Sequence, residues 1–252
     1  MRFPEAVDWV AVAAIGVGVG FLGGMFGKGG SAIATPLLHA FGIPAIVAVA
    51  APLPATIPST AVASLAYWRE HLVDRKVLTW SLAWGIPATA VGAFATRWIS
   101  GESLVTVTDV VIAALGLRFL VAPGASREIV RDVDHEDARL AAVAVVVGLA
   151  AGLLANSGGF LLAPLYLVVL RMPIKSAFAS SLAVAAFLAV PGTVVHWALG
   201  HIDWSVVAVF GLTSIPLSYV GARVALRANP EHLERVYGGA LLALGAWFLL
   251  HR

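Results

Sequence analysis

Ten apolar stretches fill most of the chain, at residues 7–26, 31–43, 45–68, 77–98, 103–121, 140–155, 160–170, 174–197, 204–226 and 232–250. A helix that crosses a bilayer needs about 20 apolar residues, so eight to ten crossings take about 160–200 residues. The chain has 252 residues, only 12% of them charged, whereas an ordinary soluble domain carries ~25%. Such a surface cannot face water. The expectation is an all-α, polytopic helical membrane protein forming a single transmembrane domain over 1–252, with no room for a soluble catalytic domain. The first apolar run lacks a small-residue cleavage site and reads as a retained membrane segment.

The two halves repeat each other. Gly29 and Gly158 are 129 residues apart (158 − 29). The same offset pairs Gly30 with Gly159, Pro44 with Pro173, Trp68 with Trp197, Asp74 with Asp203, Pro87 with Pro216, Gly92 with Gly221, Glu102 with Glu231 and Gly116 with Gly245. Shared hydrophobicity aligns Leu and Ala by accident, but not this set of Trp, Asp, Glu, Pro and Gly. We read repeat 1 as about 7–121, a polar cytoplasmic connector at 122–139, and repeat 2 as about 140–250. Internal repeats are a recurring plan of secondary transporters.

Loop charges orient the halves, because Lys and Arg stay cytoplasmic. Arg69, Arg75 and Lys76 follow the third segment of the first half, and the matching loop around Gly200–Asp203 has neither residue. The loop at Gly42–Ala45 is uncharged, and its mate carries Arg171 and Lys175. Arg97 stands alone after the fourth segment, against Arg223, Arg227 and Arg235 in the second half. Matching loops therefore fall on opposite sides, so two inverted repeats of about five segments each are expected, with both termini outside. Segments 31–43 and 160–170 are too short to span untilted. Each either spans or forms a re-entrant hairpin with the segment before it.

The hairpin tips carry the candidate site. They read Gly27, Lys28, Gly29, Gly30, Ser31 and Asn156, Ser157, Gly158, Gly159, Phe160, each followed by a proline, Pro36 or Pro164. Paired glycines break a helix and let backbone approach closely. A helix restarting after them offers free N–H groups and a positive dipole end. Two such ends suit an anion, and Lys28 adds a full charge. Lys28 has an alternative use, in snorkelling to the surface, and one glycine pair alone would mark no more than a tight turn. Neither tip holds Asp or Glu, as a cation site there would require.

The order of short segments, the glycine tips before a proline (GKGGSAIATP and NSGGFLLAP) and the duplication resemble the sulfite exporter TauE/SafE family of membrane permeases over about residues 10–250. The resemblance implies transport of a small sulfur-containing anion, such as sulfite or an organosulfonate, across a prokaryotic cytoplasmic (inner) membrane. It also adds Ser180 and Ser181 to the substrate-binding candidates. The chain departs from the family pattern at Ser31 and Phe160, where a further glycine is common, and at Ala51-Pro52, which stand where the second half has Ser180-Ser181.

Other polar residues in apolar runs have two readings each. Asp109 is a candidate for coupling to protons or another ion, or a hydrogen-bond partner for a neighbouring helix. His39 and His196 sit near segment ends, where an interfacial role is expected. Thr35, Thr56, Ser59 and Thr60 either line a cavity or bond their own backbone. Gly16, Gly20 and Gly24, with Gly148 and Gly152, form small-residue faces for close helix contact. Pro52, Pro54 and Pro58 predict a bent or broken helix.

Cysteine is absent, which removes disulfides, iron–sulfur clusters and thiolate metal sites. HExxH, GxSxG and GxxxxGK[ST] are absent too, so no enzyme, no cofactor and no ATP-driven step is expected. No basic block is dense enough for nucleic acid. The expected partners are a small anionic substrate and the lipid bilayer, and the expected activity is secondary transport. A passive anion channel and an intramembrane enzyme are the rival classes. Substrate, direction, coupling ion and oligomeric state are not readable at this level.

Overall fold

A computed structural model describes residues 7–27, 31–100, 103, 106, 110, 117, 136–154 and 158–250. Lys28, Gly29, Gly30, Asp109, Asn156 and Ser157 lie outside these, as do residues 118–135 of the connector region. The described helices are α1 (Trp9–Phe26), α2 (Ser31–Ala40), α3 (Ala45–Ala50), α4 (Pro52–Trp68), α5 (Arg75–Ala95, continuing as a 3-10 turn, Thr96–Trp98), α6 (Glu136–Leu153), α7 (Gly159–Val168), α8 (Ile174–Ala198), α9 (Trp204–Arg227) and α10 (Pro230–Leu250). No strand occurs among the described residues. Five stretches are long and apolar enough to cross a membrane: Trp9–Phe26, Ala45–Trp68, Arg75–Trp98, Ile174–Ala198 and Trp204–Arg227. The fold is an all-α bundle of a multi-pass membrane protein.

The ends of the elements follow from local chemistry. Asp8, Asp74 and Asp203 each accept two backbone N–H groups at the starts of α1, α5 and α9, satisfying donors that have no partner inside the helix. Gly27 ends α1 in the left-handed region, at φ 71°, which costs a glycine nothing. The proline-rich segment is broken as expected: α3 stops at Ala50, and α4 restarts at Pro52. The matching stretch of the second half, which lacks that cluster, is one continuous helix, α8. With 10 residues each, α2 and α7 reach only ~15 Å, half of a ~30 Å hydrocarbon layer. Trp9, Trp68, Trp98, Trp197 and Trp204 lie exposed at helix ends, where their rings suit the membrane interface.

Cross-half contacts give the helix directions. A Cβ placed on Gly16, Gly20 or Gly24 of α1 would meet Phe210, Ser214 or Ser218 of α9 in turn, so these two helices run parallel with their backbones touching. In the same way Gly148 and Gly152 of α6 press on Gly85 and Thr89 of α5, and Lys76 pairs with Asp137 at the start of both helices. Gly85 and Thr89 of α5 also track Leu188 and Gly192 of α8. By contrast α4 runs against α8, with Leu53 beside Gly192 and the Asp74 N–H donating to Ser180 Oγ at 3.0 Å. It runs with α9, through Ala55 beside Gly211 and Ser59 beside Ser214. Thus α1, α4 and α9 point one way, and α5, α6 and α8 the other. The first long helices of the two halves, α1 and α6, are opposed in direction. Each also packs along the other half's helix (α9 for α1, α5 for α6).

The same contacts refine the repeat. Gly20 on Ser214 corresponds to Gly148 on Gly85, an offset of 128 for the first helices (148 − 20) and of 129 for their partners (214 − 85). The bounds of α2 and α7 also differ by 128 (159 − 31), and the starts of α3 and α8 by 129 (174 − 45), so the one-residue shift falls between α7 and α8. The main core of buried residues includes Phe26, Leu53, Tyr67, Leu140, Val147, Tyr166, Phe178 and Leu188 from both halves.

Candidate functional site

Both tips are anchored on one face of α8. Gly27 packs so tightly on Phe178 that a Cβ would sit 2.6 Å from its Cα, and the Ser181 hydroxyl donates to the Gly27 carbonyl at 2.6 Å. Gly158, also left-handed at φ 71°, packs where a Cβ would meet Val147 at 2.8 Å and Leu188 at 3.5 Å. Positions 181 and 188 are two helical turns apart, so the anchor points are separated by ~10 Å along α8. They lie ~10 and ~20 Å in from its first residue, inside the apolar span.

The candidate residues then divide. Ser181 holds the end of α1 at the first tip. Ser180 is buried, but it accepts the Asp74 N–H, so it ties down the start of α5 and belongs to that turn. Ser31 begins α2, and Gly159, buried, begins α7. The N-cap of α7 is Gly158, which has no side chain of its own to offer, in contrast to the aspartate caps of α1, α5 and α9. Its amide end lies inside the bundle. Beneath the first tip, Phe26, Phe178 and Tyr237 form an aromatic cluster, with centroids 5.3–6.4 Å apart. The ordered half-helix α7 is tied to α5 by a 2.6 Å bond between Tyr166 and Ser81.

One turn from the first tip lies a small cavity of about 10 Å³, walled by the apolar Val19, Leu182 and Phe210 and by glycines of α1, with the hydroxyl residues Thr56, Ser59, Thr60, Ser214 and Ser218 set among them. That is near the room one water needs. The three α4 hydroxyls were candidates from sequence. Ser214 and Ser218 of α9 were not, since only the packing of α9 against α4 brings them there. At the end of the bundle where α4 and α9 finish and α8 begins, a wider pocket is lined by Glu70, Lys175, Arg223 and Arg227, three cations to one anion. Lys175 also donates to the Leu226 carbonyl at 2.8 Å. The histidines have structural partners: His39 Nδ1 lies 3.2 Å from the Ile43 carbonyl, and His196 Nδ1 lies 3.0 Å from His201 Nδ1. Burial lowers the His201 pKa below its ordinary value, which keeps that loop ring neutral at pH 7. No group of three or more metal-ligating side chains occurs among the described residues.

Comparison with known proteins now bears on this architecture. The family model for the sulfite exporter TauE/SafE matches residues 12–248. The chain belongs to that family. A probable membrane transporter protein of Xylella fastidiosa (strain 9a5c) is 28% identical, covering 94% of each chain. The probable membrane transporter protein YjnA of Bacillus subtilis (strain 168) is 25% identical over 94% of this chain and 98% of its own. No solved structure matches. The chain is thus a TauE/SafE-type membrane transporter, matched to its family over nearly its whole length.

Proposed function

We propose that this transporter is a secondary permease for a small sulfur-containing anion, sulfite or an organosulfonate, in the prokaryotic cytoplasmic membrane. The observation that carries the reading is the start of α7: a half-length helix that begins at the buried Gly158 and Gly159, inside the bundle, on the face of α8 that also anchors the first tip. Such an end favours negative charge. Lys28, Gly29, Gly30 and Ser31 at one tip, and Asn156, Ser157, Gly158 and Gly159 at the other, supply the remaining donors, with Ser181 holding the first tip in place. The pocket with Lys175, Arg223 and Arg227 raises the local anion concentration at one mouth. A tetrahedral sulfur oxyanion accepts several short, charge-assisted bonds at once.

Binding by the purified protein is expected to discriminate a sulfonate from its neutral sulfonamide isostere. Lys28→Gln is expected to weaken sulfonate binding without abolishing it, because the helix end remains. Equal affinity for the charged and neutral forms would remove the electrostatic account and leave the glycines a packing role.

The Lys/Arg distribution puts the end bearing Arg75, Lys175 and Arg227 in the cytoplasm. Cysteines introduced singly at Arg75 and His201 in this cysteine-free chain are expected to differ: a membrane-impermeant thiol reagent labels position 201 in intact cells, and position 75 only after lysis. Labelling of both positions in intact cells contradicts this orientation.

A further inference from the structure

The cavity beside the first tip, which carries five hydroxyl residues among the apolar walls of Val19, Leu182 and Phe210, differs in chemistry from the tip itself. Each hydroxyl has one proton to donate and two lone pairs. Thr56 donates to Pro52 at 2.9 Å and Thr60 to Thr56 at 2.8 Å. Ser218 donates to the carbonyls of Ser59 at 2.8 Å and Ile215 at 2.7 Å. Ser59 and Ser214 share one bond of 3.2 Å, and Ser214 has the Gly211 carbonyl at 3.5 Å for its own proton. The protons are thus spent on oxygens around the cavity, and the cavity receives lone pairs. The last turn of α1, whose Gly24 lines the cavity, adds the negative end of a helix. A neutral set of oxygen dipoles at this density replaces the hydration shell of a cation and repels an anion. No titratable side chain lines the cavity among the described residues, so it is not a proton carrier.

The repeat provides an internal control. At the offset of 129, Thr56, Ser59 and Thr60 correspond to Ala185, Leu188 and Ala189, Ser214 to Gly85, and Ser218 to Thr89. Leu188 is fully buried and fills that space against Gly85 and Gly158. Four of the five hydroxyls therefore belong to one half only. Helix packing alone does not demand those four, because the other half places alkyl groups or glycine there and keeps only the Thr89 hydroxyl, which donates to the Gly85 carbonyl of its own helix.

We propose that the cavity formed by Thr56, Ser59, Thr60, Ser214 and Ser218 at the C-terminal end of α1 binds a sodium-sized monovalent cation. On the anion-permease reading, which this part rests on, that cation is co-transported and drives the anion. Its site lies beside the mobile cargo's tip, so occupancy stabilises the anion across a short distance in a low-dielectric interior.

The test uses the purified full-length protein and radioactive sodium, with no anionic substrate present. Saturable sodium binding is expected, displaced by unlabelled sodium and not by choline. Thr60→Val, which keeps the shape and removes the oxygen, is expected to weaken it about tenfold or more, since bonds to a charged partner are among the stronger ones. Thr60→Ser is expected to restore it, and size-exclusion profiles check that each variant is folded. Absence of saturable binding by folded wild-type protein, or unchanged binding by folded Thr60→Val, overturns the proposal, and the cavity then holds water only. Sodium binding without anion transport would remove the permease reading and leave the cation site standing. Anion uptake at full rate in sodium-free medium would remove the coupling and leave the permease reading.

Discussion

Alanine at Gly24 or at Gly152 is expected to cost the protein its fold or most of its thermal stability. A Cβ at Gly24 runs into the Ser218 carbonyl oxygen, and one at Gly152 into the Thr89 carbonyl oxygen. The obstacle in each case is the backbone of a neighbouring helix, which cannot rotate away as a side-chain end can. The helices must separate, which breaks the backbone contact of α1 with α9 or of α5 with α6. Overpacking of this kind costs about 3 kcal/mol, and in a membrane close backbone packing is the main source of helix association. Gly18→Ala is the control. It lies on the same helix with nothing within 4 Å of the added carbon, and alanine is the better helix former by about 1 kcal/mol. Melting of the three variants in detergent should leave Gly18→Ala at or above the wild type and drop the other two well below it. Equal melting of Gly24→Ala and Gly18→Ala contradicts the packing described for α1 and α9.

The second large effect is expected at the tips. Gly159→Leu is expected to reduce anion uptake to background while the protein still inserts and purifies, and the matching Gly30→Leu to do the same. Gly159 is buried at the first position of α7, next to the left-handed Gly158. On the proposed reading a leucine there occupies the space in which substrate meets the helix end. Unimpaired uptake by a well-inserted Gly159→Leu protein would place the substrate elsewhere in the bundle.

Much of this architecture can be read from residues that behave differently from their apolar surroundings. The recurrence of Trp, Asp, Pro and Gly at one offset is the ground for expecting a duplication, and the proline cluster at 52–58 marks the break before α4. Aspartates 8, 74 and 203 stand at helix starts. What the sequence does not display is which helix packs on which. The first helix of each half pairs with a helix of the other half. Ser59 meets Ser214 from 155 residues away, so neither Ser214 nor Ser218 carries a local signal. The one-residue shift of register is hidden for the same reason: the glycine spacing within α6 repeats that of α1, and only the contacts to α5 and α9 expose it. Ser180 and Ser181 look equivalent in the sequence. The structure separates them, one serving the turn at Asp74 and the other the tip at Gly27.

Uptake by the purified protein in sealed proteoliposomes, with sulfite, thiosulfate, sulfoacetate and taurine presented in turn, tests the central claim most directly. The account predicts accumulation of at least one sulfur oxyanion that stops when Gly159 is leucine and is competed by the other anions but not by a neutral sulfonamide. No uptake of any of these anions by protein that is folded and correctly inserted would contradict it.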